Sequence, residues 1–226
     1  MTIKLDNPVW YSLLETNKDI CLDYGHIKFY DPGYCPFGAF ENSRENDRFM
    51  DQYSELTDNF YIVGAKPEFS KNLRLKHELV CLQMILDQKM DNEIRDTIVR
   101  LNGRRENDLF NLVNLVQPGF FKRRTAMMGD YFGIFSNHEL VAVTGERMKM
   151  NGYTEVSAVV THPQHTGKGY AKQLIAHTVN RIFDMNKIPY LHVSRENKVA
   201  INLYEKCGFT TRTSVSFWNL EKIEAA

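Results

Sequence analysis

The 226-residue chain predicts a mixed α/β fold, and three observations carry that prediction. Short runs rich in β-branched and aromatic residues recur along it, as strands require. In the second half, two segments place apolar residues at helical spacing, with strand-like runs between them. A turn with two glycines joins the strand-like Thr154–Thr161 to the first of those helices. The order is a long β-meander followed by a crossover helix.

The first half is the harder to divide. A helix is expected from about Pro8, carrying Leu13 and Leu14. Ile20 to Tyr30 reads as a strand and Asp31 to Phe40 as a loop rich in Pro, Gly and aromatics. Phe60–Val63 is a short apolar run closed by Gly64, and Leu73 to Leu86 suits a long strand. The polar stretch Asp87 to Asn92 reads as a connection. This gives a companion α/β unit over residues 1–95 and a second unit over 96–226.

In that second unit, Ile98–Leu101 reads as a strand and Asp108 to Val116 as a helix ended by Pro118-Gly119. Tyr131–Phe135 and Glu139–Arg147 read as strands about a turn at Asn137-His138. After Thr154–Thr161, a helix is expected over Ala171–Phe183, with Leu174, Ile175, Val179 and Ile182 on one side. Ile188–Val193 is a strand. Asn197 to Cys207 is a helix with Asn197 as its N-cap and Gly208 at its end. Thr210 to Leu220 closes the chain as a strand or hairpin.

Composition narrows the function. Basic and acidic residues number 28 each, so no net charge draws the chain to nucleic acid or an anionic membrane. The run Lys122-Arg123-Arg124 reads as a solvated turn. No apolar stretch reaches the ~18 residues of a membrane helix, and Met1–Asp6 has no signal-peptide core. Cys21, Cys35, Cys81 and Cys207 are scattered, without zinc spacing; they read as reduced thiols of a cytoplasmic protein. His162 and His165 alone make a weak metal case, so no metal is expected. The sequence leaves a homodimer open.

The chemistry concentrates in Val159-Val160-Thr161-His162-Pro163-Gln164-His165-Thr166-Gly167-Lys168-Gly169-Tyr170-Ala171. A helix start offers unpaired N–H groups and a positive dipole end, and glycines let backbone approach an anion closely. A diphosphate is the natural guest. A second constellation follows at Asn197, Ala200, Tyr204, Glu205, Lys206, Gly208 and Phe209. Asn197 and Tyr204 lie two helical turns apart, on one face.

Together these motifs resemble the GNAT superfamily of N-acetyltransferases, over roughly Leu101 to Leu220. The family signature is Gln/Arg-x-x-Gly-x-Gly/Ala at a helix start, followed by Asn-x-x-Ala-x-x-x-Tyr-Glu-Lys-x-Gly-Phe. Thr166 stands here where the family has Gln or Arg, which weakens a side-chain contact to the diphosphate. Gln164, which also precedes Gly167 and Gly169 at signature spacing, is out of register with the helix.

The resemblance implies a GNAT-like fold and an acetyl-CoA-dependent transfer to a small-molecule or peptide amine. Val159, Val160, Thr161, Thr166, Gly167, Lys168, Gly169, Tyr170, Ala171 and Asn197 would hold the acetyl-CoA. A backbone N–H near Val159 to Thr161 would polarise the thioester carbonyl. Tyr204 would protonate the departing thiolate. Glu155, eleven residues ahead of Thr166, stands where the family carries a carboxylate base, with Glu146 in reserve. Strands Val156–Thr161 and Ile188–Val193 are expected to splay into a pantetheine slot. No Cys or Ser carries a nucleophile signature, so direct attack in a ternary complex is favoured over an acyl-enzyme. The alternative is a non-catalytic acyl-CoA sensor. The first half is expected to wall the acceptor pocket, as a degenerate copy of the same fold.

Overall fold

A computed structural model describes residues 3–42 and 46–223. Its frame is one mixed sheet in which eleven strands are described. In the first half, helices α1 (Ile3–Asp6) and α2 (Pro8–Leu14) precede β1 (Cys21–Asp23), β2 (Ile27–Tyr30) and β3 (Phe37–Phe40). Then come α3 (Asp47–Ser54), β4 (Asn59–Val63) and β5 (Leu73–Ile85). The second half holds β6 (Ile98–Arg100), α4 (Glu106–Val116), β7 (Tyr131–Ser136), β8 (Glu139–Met150), β9 (Tyr153–Thr161), α5 (Tyr170–Asp184), β10 (Ile188–Ser194), α6 (Lys198–Lys206) and β11 (Thr210–Lys222).

Two expectations for the first half need correction, and one helix is added to them. Ile20 to Tyr30 is not one strand but the hairpin β1–β2. Gly25, at φ 82°, makes its turn, and its N–H donates to the Asp23 carboxylate at 2.8 Å. The stretch Asp31 to Phe40 is not all loop, because its end forms β3 beside β2 and β4. Helix α3 was not anticipated; it buries Met50 and Tyr53 against Phe29, Phe60 and Leu220. At the C-terminus, Thr210 to Lys222 is a single strand rather than a hairpin.

The strand order is β1-β2-β3-β4-β11-β5-β10-β9-β8-β7-β6. β5 leaves the first half to pair antiparallel with β10, and β11 leaves the second half to pair antiparallel with β4. β5 and β11 then pair with each other along nearly their whole length. Outward from that centre both arms repeat the same senses: antiparallel, then parallel, then antiparallel. The two halves therefore share one sheet, each contributing its last strand to the other's side.

β10 lies between β9 and β5 and pairs with each over a different stretch. It runs parallel to β9 from Ile188 to Tyr190, and antiparallel to β5 from Tyr190 to Ser194. Past Tyr190 and Glu155, β9 and β10 have no pairing recorded between them, which is the splay expected from the sequence. β9 stays paired to β8 and carries a bulge there, with Ala158 at φ 51°. Helix α5 covers this arm, burying Leu174, Ile175, Val179 and Ile182, the stripe its spacing predicts.

The connection after β5 is pinned along α5 rather than loose. The Asn180 side chain bonds both the N–H and the carbonyl of Met90, and the Gln173 Oε1 accepts from the N–H groups of Arg95 and Asp96. The loop between α4 and β7 is tied to the first half. The Arg124 guanidinium lies 3.9 Å from the Tyr34 ring centroid and donates to its hydroxyl at 2.6 Å. The Arg123 guanidinium lies 4.0 Å from the Phe110 ring. Lys122–Arg124 is a largely solvent-exposed turn, as expected, and its two guanidinia also latch it over aromatic rings.

That latch yields a prediction. Arg124→Ala should cost about 1 kcal/mol of stability, the scale of one partly exposed cation–π contact with its hydrogen bond. Urea unfolding measures it, and a transition midpoint equal to the unmodified protein's would show that the latch contributes nothing.

Candidate active site

Where β9 and β10 part, a cavity of about 370 Å³ opens. The second half supplies Glu155, Val156 and Val159 from β9, His192 and Val193 from β10, and Asn197 and Tyr204 around α6. The first half supplies Phe37 from β3 and Leu79 and Cys81 from β5. The latched loop adds Phe120 and Phe121.

The structure brings four of the expected site residues into this one space: Glu155, Val159, Asn197 and Tyr204. Val160 faces the core instead, packed with Leu109 and Leu112, and Thr161 is not part of the lining. Glu146 is buried away from the cavity, its carboxylate 2.7 Å from the Lys149 ammonium.

The glycine turn lies outside the cavity at the head of α5. Gly167 and Gly169 sit at φ 77° and 78°, in the left-handed region that glycine adopts without strain. A Cβ at either would meet nothing within 4 Å, so the approach to the turn is open. Gly169 is the N-cap of α5, and Thr166, Lys168 and both glycines are exposed. The backbone therefore fits a diphosphate. The Thr166 hydroxyl donates to the Pro163 carbonyl at 3.3 Å, which commits it to its own loop.

Asn197 caps α6, its Oδ1 accepting from the Ala200 N–H at 3.1 Å. Its amide donors have no hydrogen bond among the described residues and remain available to the cavity. The Tyr204 hydroxyl likewise has no such partner. Burial, reinforced by Cys207 and Glu155, pushes this phenol well above its ordinary pKa, so it stays protonated. Burial also pushes the Cys81 thiol up to about 12, so it carries no thiolate at neutral pH.

Glu155 sits on the floor and is 1% exposed. Its Oε2 accepts from Arg147 Nε at 2.8 Å; its Oε1 accepts from Arg147 Nη2 at 3.1 Å and pairs with His192 Nδ1 at 2.9 Å. Arg147 reaches it because β8 is irregular there: the register jumps from Glu146 opposite Val156 to Lys149 opposite Thr154. Burial alone would raise the carboxyl pKa, but Arg147 and His192 outweigh it and hold it at about 2.

Sequence reasoning missed Arg147, His192 and the aromatic walls. A faint signal existed for His192, a polar residue within an otherwise apolar strand. None existed for Arg147, Phe37 or Phe120, whose roles depend on pairings across the sheet.

Comparisons with known proteins place the chain in a family. Residues 131–218 match a family model described as FR47-like protein. A solved structure from Novosphingobium aromaticivorans, assigned to the GNAT family of acetyltransferases, is 30% identical; the match covers 97% of this chain and 99% of that one, with a TM-score of 0.88. The chain belongs to the GNAT family of acetyltransferases.

A GCN5-related N-acetyltransferase from Kribbella flavida shares the fold at 11% identity and a TM-score of 0.64, over 97% of this chain and 96% of that one. Spermidine N(1)-acetyltransferase of Vibrio cholerae is 44% identical to this GNAT chain over 54 residues. That match covers 23% of this chain and spans only 31% of the curated relative. Among the described residues no helix is long and apolar enough to cross a membrane, and no group of three or more His, Cys, Asp or Glu could hold a metal.

The buried ion pair gives this GNAT protein a defined acid response. Folding favours ionised Glu155, since its pKa is about 2 against an ordinary 4.5. Its contribution is complete above about pH 4.5 and is lost as pH falls toward 2. Glu155→Gln removes that dependence and strands the Arg147 charge, at a cost of about 3–5 kcal/mol. Thermal melts of both proteins from pH 7 down to 3 test this. Parallel curves would remove Glu155 from the acid response.

Proposed function

We propose that this GNAT protein transfers an acetyl group from acetyl-CoA to an amine by direct attack in a ternary complex. The observation that carries this reading is the meeting of Tyr204, Asn197 and Glu155 at one cavity. The cavity lies in the gap between β9 and β10, with an open left-handed glycine turn at the head of the adjoining helix.

In this reading the diphosphate rests on the N–H groups of Gly167 to Ala171, and the pantetheine arm follows the β9 edge past Val159. Asn197 donates to that arm while it caps α6. The amine enters from the side walled by the first half. Acyl transfer moves the thioester carbon to the amine nitrogen and expels a thiolate. Tyr204, an unpaired phenol held protonated, supplies the proton that thiolate needs.

Glu155 remains the carboxylate nearest the reaction, but with a pKa of about 2 it has little proton affinity. We assign it an electrostatic part: it favours positive charge on the amine as the bond forms, and the proton leaves through water. The raised thiol at Cys81 supports direct attack over an acyl-enzyme. All four cysteines are free, which supports a reducing, cytoplasmic setting.

Two variants test the reading separately. Gly169→Glu places a side chain at φ 78° and a carboxylate where the diphosphate would sit. Acetyl-CoA affinity should fall by about a hundredfold or more through like-charge repulsion. Calorimetry on the folded variant reads it, and unchanged affinity would remove the turn from the site. Tyr204→Phe keeps the ring and should leave acetyl-CoA affinity within about threefold, while kcat falls ~10²-fold. Turnover untouched by the change excludes Tyr204 as the proton donor. Tight acetyl-CoA binding with no turnover on any amine would instead identify an acyl-CoA sensor.

A further inference from the structure

We infer that the acceptor is a compact amine with an apolar or aromatic body and an oxygen acceptor on the carbon next to the amine-bearing one, bound by Arg147, and that it is not a polyamine. This inference rests on the transferase reading and names the substrate class of the same site.

The walls argue for the body. Phe37, Leu79, Phe120, Phe121 and Phe217 line the side opposite α6, drawn from β3, β5, the latched loop and β11. A cavity of about 370 Å³ must also hold the acyl end of the donor, so the acceptor is small. Burying an apolar body there returns roughly 25 cal/mol for each Å² removed from water.

The floor argues for the oxygen. Arg147 spends Nε and Nη2 on Glu155. Its Nη1 makes no hydrogen bond among the described residues, and its side chain is 12% exposed at the cavity. A guanidinium edge with uncommitted donors recognises a carboxylate or carbonyl oxygen. The Phe37 ring, 5.0 Å from the guanidinium carbon, fixes its plane.

Neighbouring polar groups are already committed. Arg212 donates to Gln83 Oε1 at 3.1 Å, which orients that amide. Gln83 Nε2 therefore donates, to the Leu5 carbonyl at 2.8 Å and toward His192 Nε2 at 3.1 Å. His192 Nε2 is then the acceptor and Nδ1–H donates to Glu155. The imidazole keeps no open lone pair for substrate.

The same bookkeeping excludes a polyamine. Each additional ammonium taken from water needs an anion. Glu155 is the one carboxylate among the described lining residues, and three donors, one of them the Arg147 cation, already hold it. The cavity offers no second negative site.

The test uses the full chain with CoA present and follows binding by calorimetry, so that it does not depend on turnover. The probes are phenylalanine, phenylalaninamide, phenethylamine and spermidine. Phenylalanine and its amide supply the oxygen as a carboxylate and as a neutral carbonyl, and their ratio tells which Arg147 prefers. Both should bind about tenfold or more tightly than phenethylamine, the worth of a charge-assisted hydrogen bond. Spermidine should show no binding at concentrations that saturate phenylalanine.

Spermidine binding as tightly as phenylalanine overturns the inference, and so does phenethylamine equal to both oxygen-bearing probes. Arg147→Lys keeps a cation beside Glu155 but has no Nη1, and should erase the preference over phenethylamine. A preserved preference also overturns the inference. Should that variant fail to fold, the unmodified protein's ranking decides alone. Acetyl transfer is scored separately with acetyl-CoA. Phenylalanine bound but never acetylated supports this inference while sinking the transferase reading.

Discussion

The parting of β10 from β9 is the constraint on which the site depends. Three residues of β10 pair with β9 on one edge, and beyond them β10 is held by β5 on its opposite edge alone. From Val156 onward β9 loses its β10 neighbour, so one edge of a buried strand faces a cavity. An unpaired backbone edge away from water costs free energy for every orphaned group. Such a gap is tolerable where water or a ligand with amide groups can complete it, and a pantetheine arm carries such groups. β10 can part from β9 and still stay in the sheet because β5 holds its opposite edge.

β5 belongs to the other half of the chain, which explains why the two halves are built as one sheet. Each last strand crosses to the opposite arm, and the β5–β11 ladder closes the centre. The first half repeats the parting of strands: β3 and β4 share only the pairs Phe37–Tyr61 and Gly38–Ile62. There the chain places aromatic rings. Phe37 meets Tyr61 at 5.8 Å and Phe217 at 5.4 Å, and Tyr61 meets Phe120 at 5.2 Å. No paired-glycine turn leads into α3 among the described residues. The first half thus keeps the sheet arrangement without the diphosphate turn, and its aromatic side chains become the far wall of the second half's cavity.

What the sequence revealed follows the range of the interactions involved. The glycine turn, the Asn197 cap and the stripe on α5 are set within a few residues, and each was legible. The β9–β10 splay was legible through the family resemblance alone, since no local pattern encodes it. The β1–β2 hairpin was obscured although Gly25 marked its turn, because strand-like residues flank it on both sides. Helix α3 was obscured because its apolar positions are few and its neighbours polar. Arg147 was invisible for a deeper reason. Its meeting with Glu155 depends on an irregularity in β8, and a one-residue shift of register would send its side chain to the other face.

That ion pair also decides how the floor of the cavity works. Two ions this deep in a protein are seldom kept for stability, because desolvation cancels most of their attraction and an apolar pair of similar volume would serve as well. Their value here is that they fix two things together. Arg147 keeps Glu155 ionised at neutral pH, so in the proposed reaction a carboxylate stays in place for an amine becoming cationic. Glu155 in turn holds the guanidinium by two of its nitrogens and leaves the third without a hydrogen bond among the described residues. The carboxylate that a simple reading would make a proton acceptor is therefore better suited to holding charge and geometry still. In the proposed reaction, proton movement is left to Tyr204 on the donor side and to water on the amine side.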